Sequence, residues 1–360
     1  MKKNSSKFLL LLFAIMFFAT FYWLFIKNET RFDIESQYSE KPTAQQEEKR
    51  VWVKFRYQGA IEVDEVYTPV NIISGDEYFY VGDWSDSKVK KIDAEGNIVE
   101  VFGKGKGEGP GEFLRINSID LDNSGRIWIS DELTGRITIF DDIEDFEVVN
   151  VKIMPYKLVV LNDKYFVNSD RFDTRLKISS LNSSENMFSE AIVSRDRELW
   201  SRVFDSTFMK ADSSNLVRVF YYTTDIVKYN EEGEILFVRR PIEAFDIEDL
   251  KIIPPRQYEE NQEQIFYEVS PSSNLPQMHG LHIDERYIYI LTSEVQGELF
   301  IRDIIDVYDL QTGDYLHSFR TPEPIYYFSL MGNTILGIRQ ETGQLVIWKF
   351  IEEDEIERVR

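Results

Sequence analysis

The stretch RIWISDELTGRITIFD, residues 126–141, sets a short apolar strand, a polar turn and an alternating strand one after another. Short runs rich in Ile, Val, Thr and aromatic residues, bounded by Gly, Asp or Ser, are strand signals. Asp131 closes the first of the two strands. The same plan recurs in YFYVGDWSDSKVKKID from residue 78 and in KYFVNSDRFDTRLKIS from residue 164, with Asp83 and Asp170 in the place of Asp131. Such spacings, roughly 40–50 residues, match a four-stranded propeller blade. Looser copies begin at residues 216, 287 and 334. The expected fold is therefore all-β, a six-bladed β-propeller over residues 51–351.

Each unit also has an apolar strand before this core and another after it. The last unit does not: after LVIWKF only IEEDEIERVR remains, and residues 352–360 read as an acidic tail. An unused strand lies at the other end of the chain. In VWVKFRY, residues 51–57, Val51, Val53, Phe55 and Tyr57 alternate. That strand is expected to complete the sixth blade, removing an open sheet edge and closing the ring.

Between the first two units runs GKGKGEGPGEF, residues 103–113. A nucleotide loop would read G-x-G-x-x-G before a helix, or end in Gly-Lys-Ser/Thr. Here Gly103, Gly105, Gly107, Gly109 and Gly111 alternate, and a strand follows. The stretch is expected to carry the chain from one blade's outer strand to the next blade's inner strand. Its glycines permit positive φ, and Pro110 stiffens it.

From this loop onward, residues 107–141 resemble an NHL repeat. The matching features are the Gly/Pro-rich lead, Phe113, Ile119, Asp122, Gly125, the IWISD strand, Arg136, Ile137 and Phe140. The lead also resembles six-bladed propeller proteins of the Bacteroidetes type, many of them exported. The resemblance implies the fold over residues 51–350 and no activity.

A formal charge of −22, from 63 acidic and 41 basic side chains, disfavours nucleic acid as a partner. Aromatic residues make up 14% of the chain, enough for a sizeable core. With no cysteine, disulfides, thiolate metal sites and thiol nucleophiles are absent.

The N-terminus gives an address. Lys2, Lys3 and Lys7 precede FLLLLFAIMFFATFYWLFI, residues 8–26, which carries no charge. Such a run reaches about 28 Å as a helix, near the thickness of a bilayer core. Tyr22 and Trp23 stand where an interfacial aromatic belt would lie. Residues 1–27 are thus expected to form an inner-membrane anchor, with a cleaved signal segment as the alternative, and either way the rest of the chain is expected to be exported. Residues 28–50 form a linker, and the propeller stands on the periplasmic side as a monomer.

In a blade with antiparallel strands a to d from the inside outward, the d–a connection and the b–c turn share one face. The glycine loop and the Asp-bearing turns fall there, as do long insertions at residues 194–207 and 241–277. A short helix is expected after Pro254 and Pro255. Long loops carry binding more often than scaffolds do. Candidate binding residues are therefore Asn71, Arg115, Asn117, Asp131, Asp170 and His279. The Asp residues also suit bonding to the backbone of their own turns. His279 and His282 lack a third histidine beside them, so neither a metal nor any other cofactor is expected. The function expected is binding of a protein, peptide or glycan on this face. The alternative is a lactonase- or lyase-type enzyme with a metal in the central channel, to which Asn71, Asn117 and His279 would contribute.

Overall fold

A computed structural model describes residues 49–151, 155–162, 164–169, 176–180, 183–189, 207–211, 214–220, 225–232, 234–242, 250–253, 268–271, 278–296 and 299–352. The anchor at 8–26, most of the linker, Asp170 and the segment after Pro254 lie outside the described residues.

Six antiparallel sheets form the blades. Their inner strands are Pro69–Ser74, Ile116–Leu121, Pro155–Leu161, Thr207–Ala211, Met278–Ile283 and Ile325–Met331. Each packs against the next, and the sixth packs against the first, so the ring closes. The three further strands of each blade follow outward in sequence order, except in blade six.

Alternation along each strand explains both the core and the apolar runs. In blade two, Ile127 and Ile129 pack towards Ile73, Val89 and Phe102 of blade one. Trp128, between them, packs towards Leu158, Val160 and Tyr165 of blade three. Both faces of the strand are covered, so every residue of Ile127–Asp131 is buried. A strand buried on both sides reads as a continuous apolar run rather than an alternating one.

Ring closure uses the N-terminal segment in two places. Phe55–Tyr57 pairs antiparallel with the end of Leu345–Glu352, and Ile61–Val63 pairs with its beginning. One strand over 51–57 is expected from the sequence; the observed segment splits. Trp52 bridges Ser318 on the outer strand of blade five instead. Arg50, the last residue of the expected linker, is already seated there: Nε and Nη2 donate to the two carboxylate oxygens of Asp306 at 2.9 and 3.1 Å.

The glycine loop is a folded plug. Gly105–Lys106 and Glu112–Phe113 pair in parallel, and the Lys104 N–H donates to the Gly111 carbonyl at 2.7 Å. Gly103 takes φ +98°, and a Cβ there would stand 2.8 Å from the Phe113 ring. Phe113 is fully buried between blades one and two.

Candidate functional site

Among the described residues, five of the six inner strands carry a β-bulge at the same end. The residues passed over by the pairing are Val70, Asn117, Tyr156, His279 and the pair Tyr326 and Tyr327. Blade four alone pairs without interruption. A bulge leaves its extra residue unpaired and re-aims the side chain. All five lie where the inner strand begins, so together they ring the channel mouth on the loop face.

Exposed aromatic rings and cations cluster around this mouth. The Trp84 indole N–H donates to the Ile116 carbonyl at 2.6 Å, and the Arg115 guanidinium lies 5.0 Å from the Trp84 ring. Glu132 stands 3.6 Å from Arg115. Arg302 stacks 4.6 Å from the Tyr326 ring, and the Lys157 ammonium is 5.6 Å from that of Tyr156. Tyr67, Trp84, Tyr156, Tyr326 and Tyr327 are all exposed. Burial raises the Tyr327 pKa, Tyr156 from the opposite blade raises it further, and Arg302 opposes both. At His279, burial and then the charge of Arg302 push the imidazole down to about 3, so it is neutral at ordinary pH.

Deeper in, the inner strands would expose unpaired backbone edges to the channel. Polar side chains satisfy them across blades. Asn71 Nδ2 donates to the Asn117 carbonyl at 3.4 Å, and Ser118 Oγ to the Leu158 carbonyl at 3.2 Å. The Val160 N–H donates to Asp120 Oδ2 at 2.8 Å. Ser329 Oγ meets His282 Nδ1 at 3.2 Å and Ser74 Oγ at 3.1 Å. Lys210 of blade four acts on Asp120 of blade two, Lys157 of blade three and His282 of blade five. Only the central channel lies within reach of all four blades.

Burial raises the Asp120 carboxyl and the Lys210 charge opposes it. The Lys210 ammonium is itself lowered by burial, with Asp120 acting the other way. For Lys157, burial and then Lys210 push the ammonium down to about 8. His282 falls to about 3 for the same two reasons.

The repeated Asp residues tie the loop face together. Asp131 accepts the N–H groups of Leu114 and Arg115 from the incoming connection and of Leu133 and Thr134 from its own turn. Asp83 does the same with Tyr67, Thr68 and Ser85 and also pairs with Lys90. The expected bond to the Asp residue's own turn is only half of what these carboxylates do. Burial raises the Asp83 carboxyl, but bonds from Lys90, Ser85 and Tyr67 outweigh it and hold it at about 2. On the outer rim Arg136 Nη1 donates to the Glu108 carbonyl at 2.7 Å, and Glu108, Leu133, Thr134 and Arg136 line a cavity of about 330 Å³.

A family model described as a 6-bladed beta-propeller, DUF5128, matches residues 64–331, most of the chain. The chain belongs to the DUF5128 family. Two solved structures share the DUF5128 chain's fold. One is a member of the duf4221 family from Bacteroides vulgatus, at 11% identity and TM-score 0.55, over 85% of this chain and 100% of that one. The other is a candidate exported protein of Bacteroides fragilis, at 13% identity and TM-score 0.52, over 84% and 96%. A comparison with curated proteins finds no sequence match.

In this DUF5128 propeller Asn71, Arg115, Asn117 and His279 gather at or just inside the mouth. Asp131 stands beside Arg115 with its oxygens occupied by backbone. The alternative reading, a metal in the central channel, would draw on His279, Asn71 and Asn117. The bulge holds His279 at the mouth near Arg302, while His282 sits deeper against Ser329. Among the described residues no three metal-ligating side chains converge. Sequence reasoning missed Trp84, Tyr156, Tyr326, Tyr327, Asp120 and Lys210. A readable signal was present: Asp120 and Lys210 are charged residues inside the inner strands INSIDL and TFMKA.

Proposed function

We propose that this chain is an exported, membrane-anchored propeller of NHL-repeat, Bacteroidetes type, whose loop face binds a protein, peptide or glycan. The observation that carries the reading is the recurrent bulge. Five blades spend ladder hydrogen bonds at one mouth and none pair irregularly at random positions along the inner strands. Bulges of this kind accompany sites where side chains are re-aimed. Tyr, Trp and Arg dominate the binding energy of interfaces, and the mouth displays all three. Export and anchoring rest on the charge-free run at residues 8–26 and its lysine flank.

The test is capture of partners, together with a glycan array, on the full chain and on paired variants. Trp84→Ala and Tyr327→Ala at the mouth are set against changes in the 122–125 turn on the opposite face. Binding that survives both mouth variants and fails with the turn variant would assign the wrong face. A tagged chain recovered as a soluble product trimmed near residue 27 would replace the anchor with a signal peptide.

A further inference from the structure

We propose that the cavity on the outer rim of blade two is a sugar subsite, in which Arg136, Thr134 and Glu108 take the hydroxyl groups of one pyranose unit of a glycan. The proposal rests on the reading of the loop face as the binding face, and it names the ligand class and the place on that face that receives it.

The cavity lies where two connections meet. One wall is Glu108, in the glycine loop that arrives from blade one, between the paired segments Gly105–Lys106 and Glu112–Phe113. The other is formed by Leu133, Thr134 and Arg136, where the chain turns from Ile127–Asp131 into Arg136–Phe140. Its volume of about 330 Å³ falls at the lower end of the range of small-ligand sites.

Both walls are braced before any ligand arrives. Asp131 Oδ1 accepts the N–H groups of Leu133 and Thr134, and Oδ2 accepts that of Leu114 at the end of the glycine loop. Within the loop the Gly109 N–H donates to Glu112 Oε2 at 2.8 Å, and the Gly107 N–H to the Phe113 carbonyl at 3.3 Å. Arg136 Nη1 ties one wall to the other through the Glu108 carbonyl. A frame held this way spends little ordering entropy on binding.

Two polar atoms of this frame are left over. Arg136 Nη2 and Thr134 Oγ1 are buried, and neither has a hydrogen-bond partner among the described residues. A buried donor without an acceptor costs free energy, and each such group in a native fold calls for a partner. Both can donate, so the ligand they call for brings acceptor oxygens.

Charge decides which kind of oxygen. The lining holds one cation, Arg136, and one carboxylate, Glu108. A carboxylate or phosphate ligand loses to Glu108 much of what it gains from Arg136, and the net charge of −22 opposes it further. A neutral hydroxyl suits both groups: its oxygen accepts from Arg136 Nη2 or Thr134 Oγ1, and its proton goes to a Glu108 oxygen. Adjacent hydroxyls on a sugar ring repeat that pairing. Leu133, 56% exposed, offers an apolar surface to the C–H face of the same ring.

The probes are the methyl glycosides of glucose, galactose, mannose and N-acetylglucosamine, with acetate and inorganic phosphate as the anion arm. Each is titrated calorimetrically into the full chain in a sugar-free detergent. Saturable binding of at least one glycoside is expected, with a dissociation constant on the order of millimolar for so small a ligand. Arg136 also braces the loop, so the site is tested through two milder variants. Thr134→Val is expected to weaken glycoside binding at least fivefold, and Glu108→Gln to weaken it at least threefold. An anion would respond to Glu108→Gln in the opposite direction, by binding more tightly. No saturable glycoside binding up to about 50 mM overturns the proposal, as does glycoside binding that both variants leave unchanged. Acetate or phosphate binding that Glu108→Gln strengthens overturns it too, by making the cavity an anion site. Partner capture that depends on Trp84 and Tyr327 at the mouth would survive each of those results, so the two readings fail separately.

Discussion

Arg50 and Asp306 meet through two hydrogen bonds, Nε to Oδ1 at 2.9 Å and Nη2 to Oδ2 at 3.1 Å, with both side chains almost wholly buried. The first residues of the domain are thus fastened to the third strand of blade five. Ser318 Oγ donates to the same carboxylate, and the Tyr315 hydroxyl accepts the Val51 N–H. Arg50→Ala leaves Asp306 buried without its cation and is expected to lower stability by about 3–5 kcal/mol. Arg50→Met combined with Asp306→Leu should recover most of that loss. Urea unfolding of the three proteins measures it, and a single Arg50→Ala variant as stable as the parent would remove the fastening role.

Asp83 predicts a pH dependence with a definite sign. Its carboxyl is held at about 2, below the ordinary value of 3.8. A depressed carboxylate stabilises the fold above its unfolded pKa and loses that contribution as pH falls. The expected loss is about 2.5 kcal/mol in all, spread between about pH 5 and pH 1, from a shift of roughly two units. Asp83→Asn should be less stable at neutral pH and show a correspondingly flatter acid limb. Identical acid limbs for the two proteins would contradict this.

Gly103 has no room for a side chain. A Cβ would stand 2.8 Å from Phe113, and the residue already occupies the left-handed region at φ +98°. Gly103→Ala is expected to cost about 2–3 kcal/mol, from backbone strain and forced movement of a core ring. Gly125→Ala tests strain without crowding, since nothing lies near its Cβ at φ +81°. Thermal unfolding should rank Gly103→Ala well below Gly125→Ala.

Arg115 links the mouth to the neighbouring turn through Trp84 and Glu132. Arg115→Ala should weaken partner binding by about 1–2 kcal/mol, in the range of an interface cation that also stacks. Stability should change far less, because Arg115 is partly exposed. A stability loss as large as the binding loss would make Arg115 a scaffold residue.

The first three blades were legible because each repeats one local grammar, an apolar strand, an Asp, a polar turn and an alternating strand, and the later three repeat it more loosely. Asp83 and Asp131 sit in register for a physical reason, each closing the gap between its own turn and the incoming connection. The channel was not legible. Asp120, Lys157, Lys210 and His282 belong to four blades, and nothing local marks a lysine in TFMKA as a neighbour of an aspartate in INSIDL. Tyr327 carried no local mark, because the bulge at Tyr326 and Tyr327 depends on pairing with a later strand. The split of the closing segment was hidden for a similar reason: residues 51–53 prefer the outer edge of blade five, which no alternation within 51–57 reveals.

That closing segment also orders events in time. Phe55–Tyr57 leaves the ribosome among the first residues of the domain, while its partner strand Leu345–Glu352 leaves among the last. At ~5–20 residues per second the wait is on the order of tens of seconds. Until it ends, the N-terminal strand is unmatched and blade six shows an open edge. Two nascent copies hold the same pair of complementary edges, so a strand from one can complete the ring of the other. The same pairing that seals the monomer thereby makes exchange of residues 50–63 between two chains its natural misassembly.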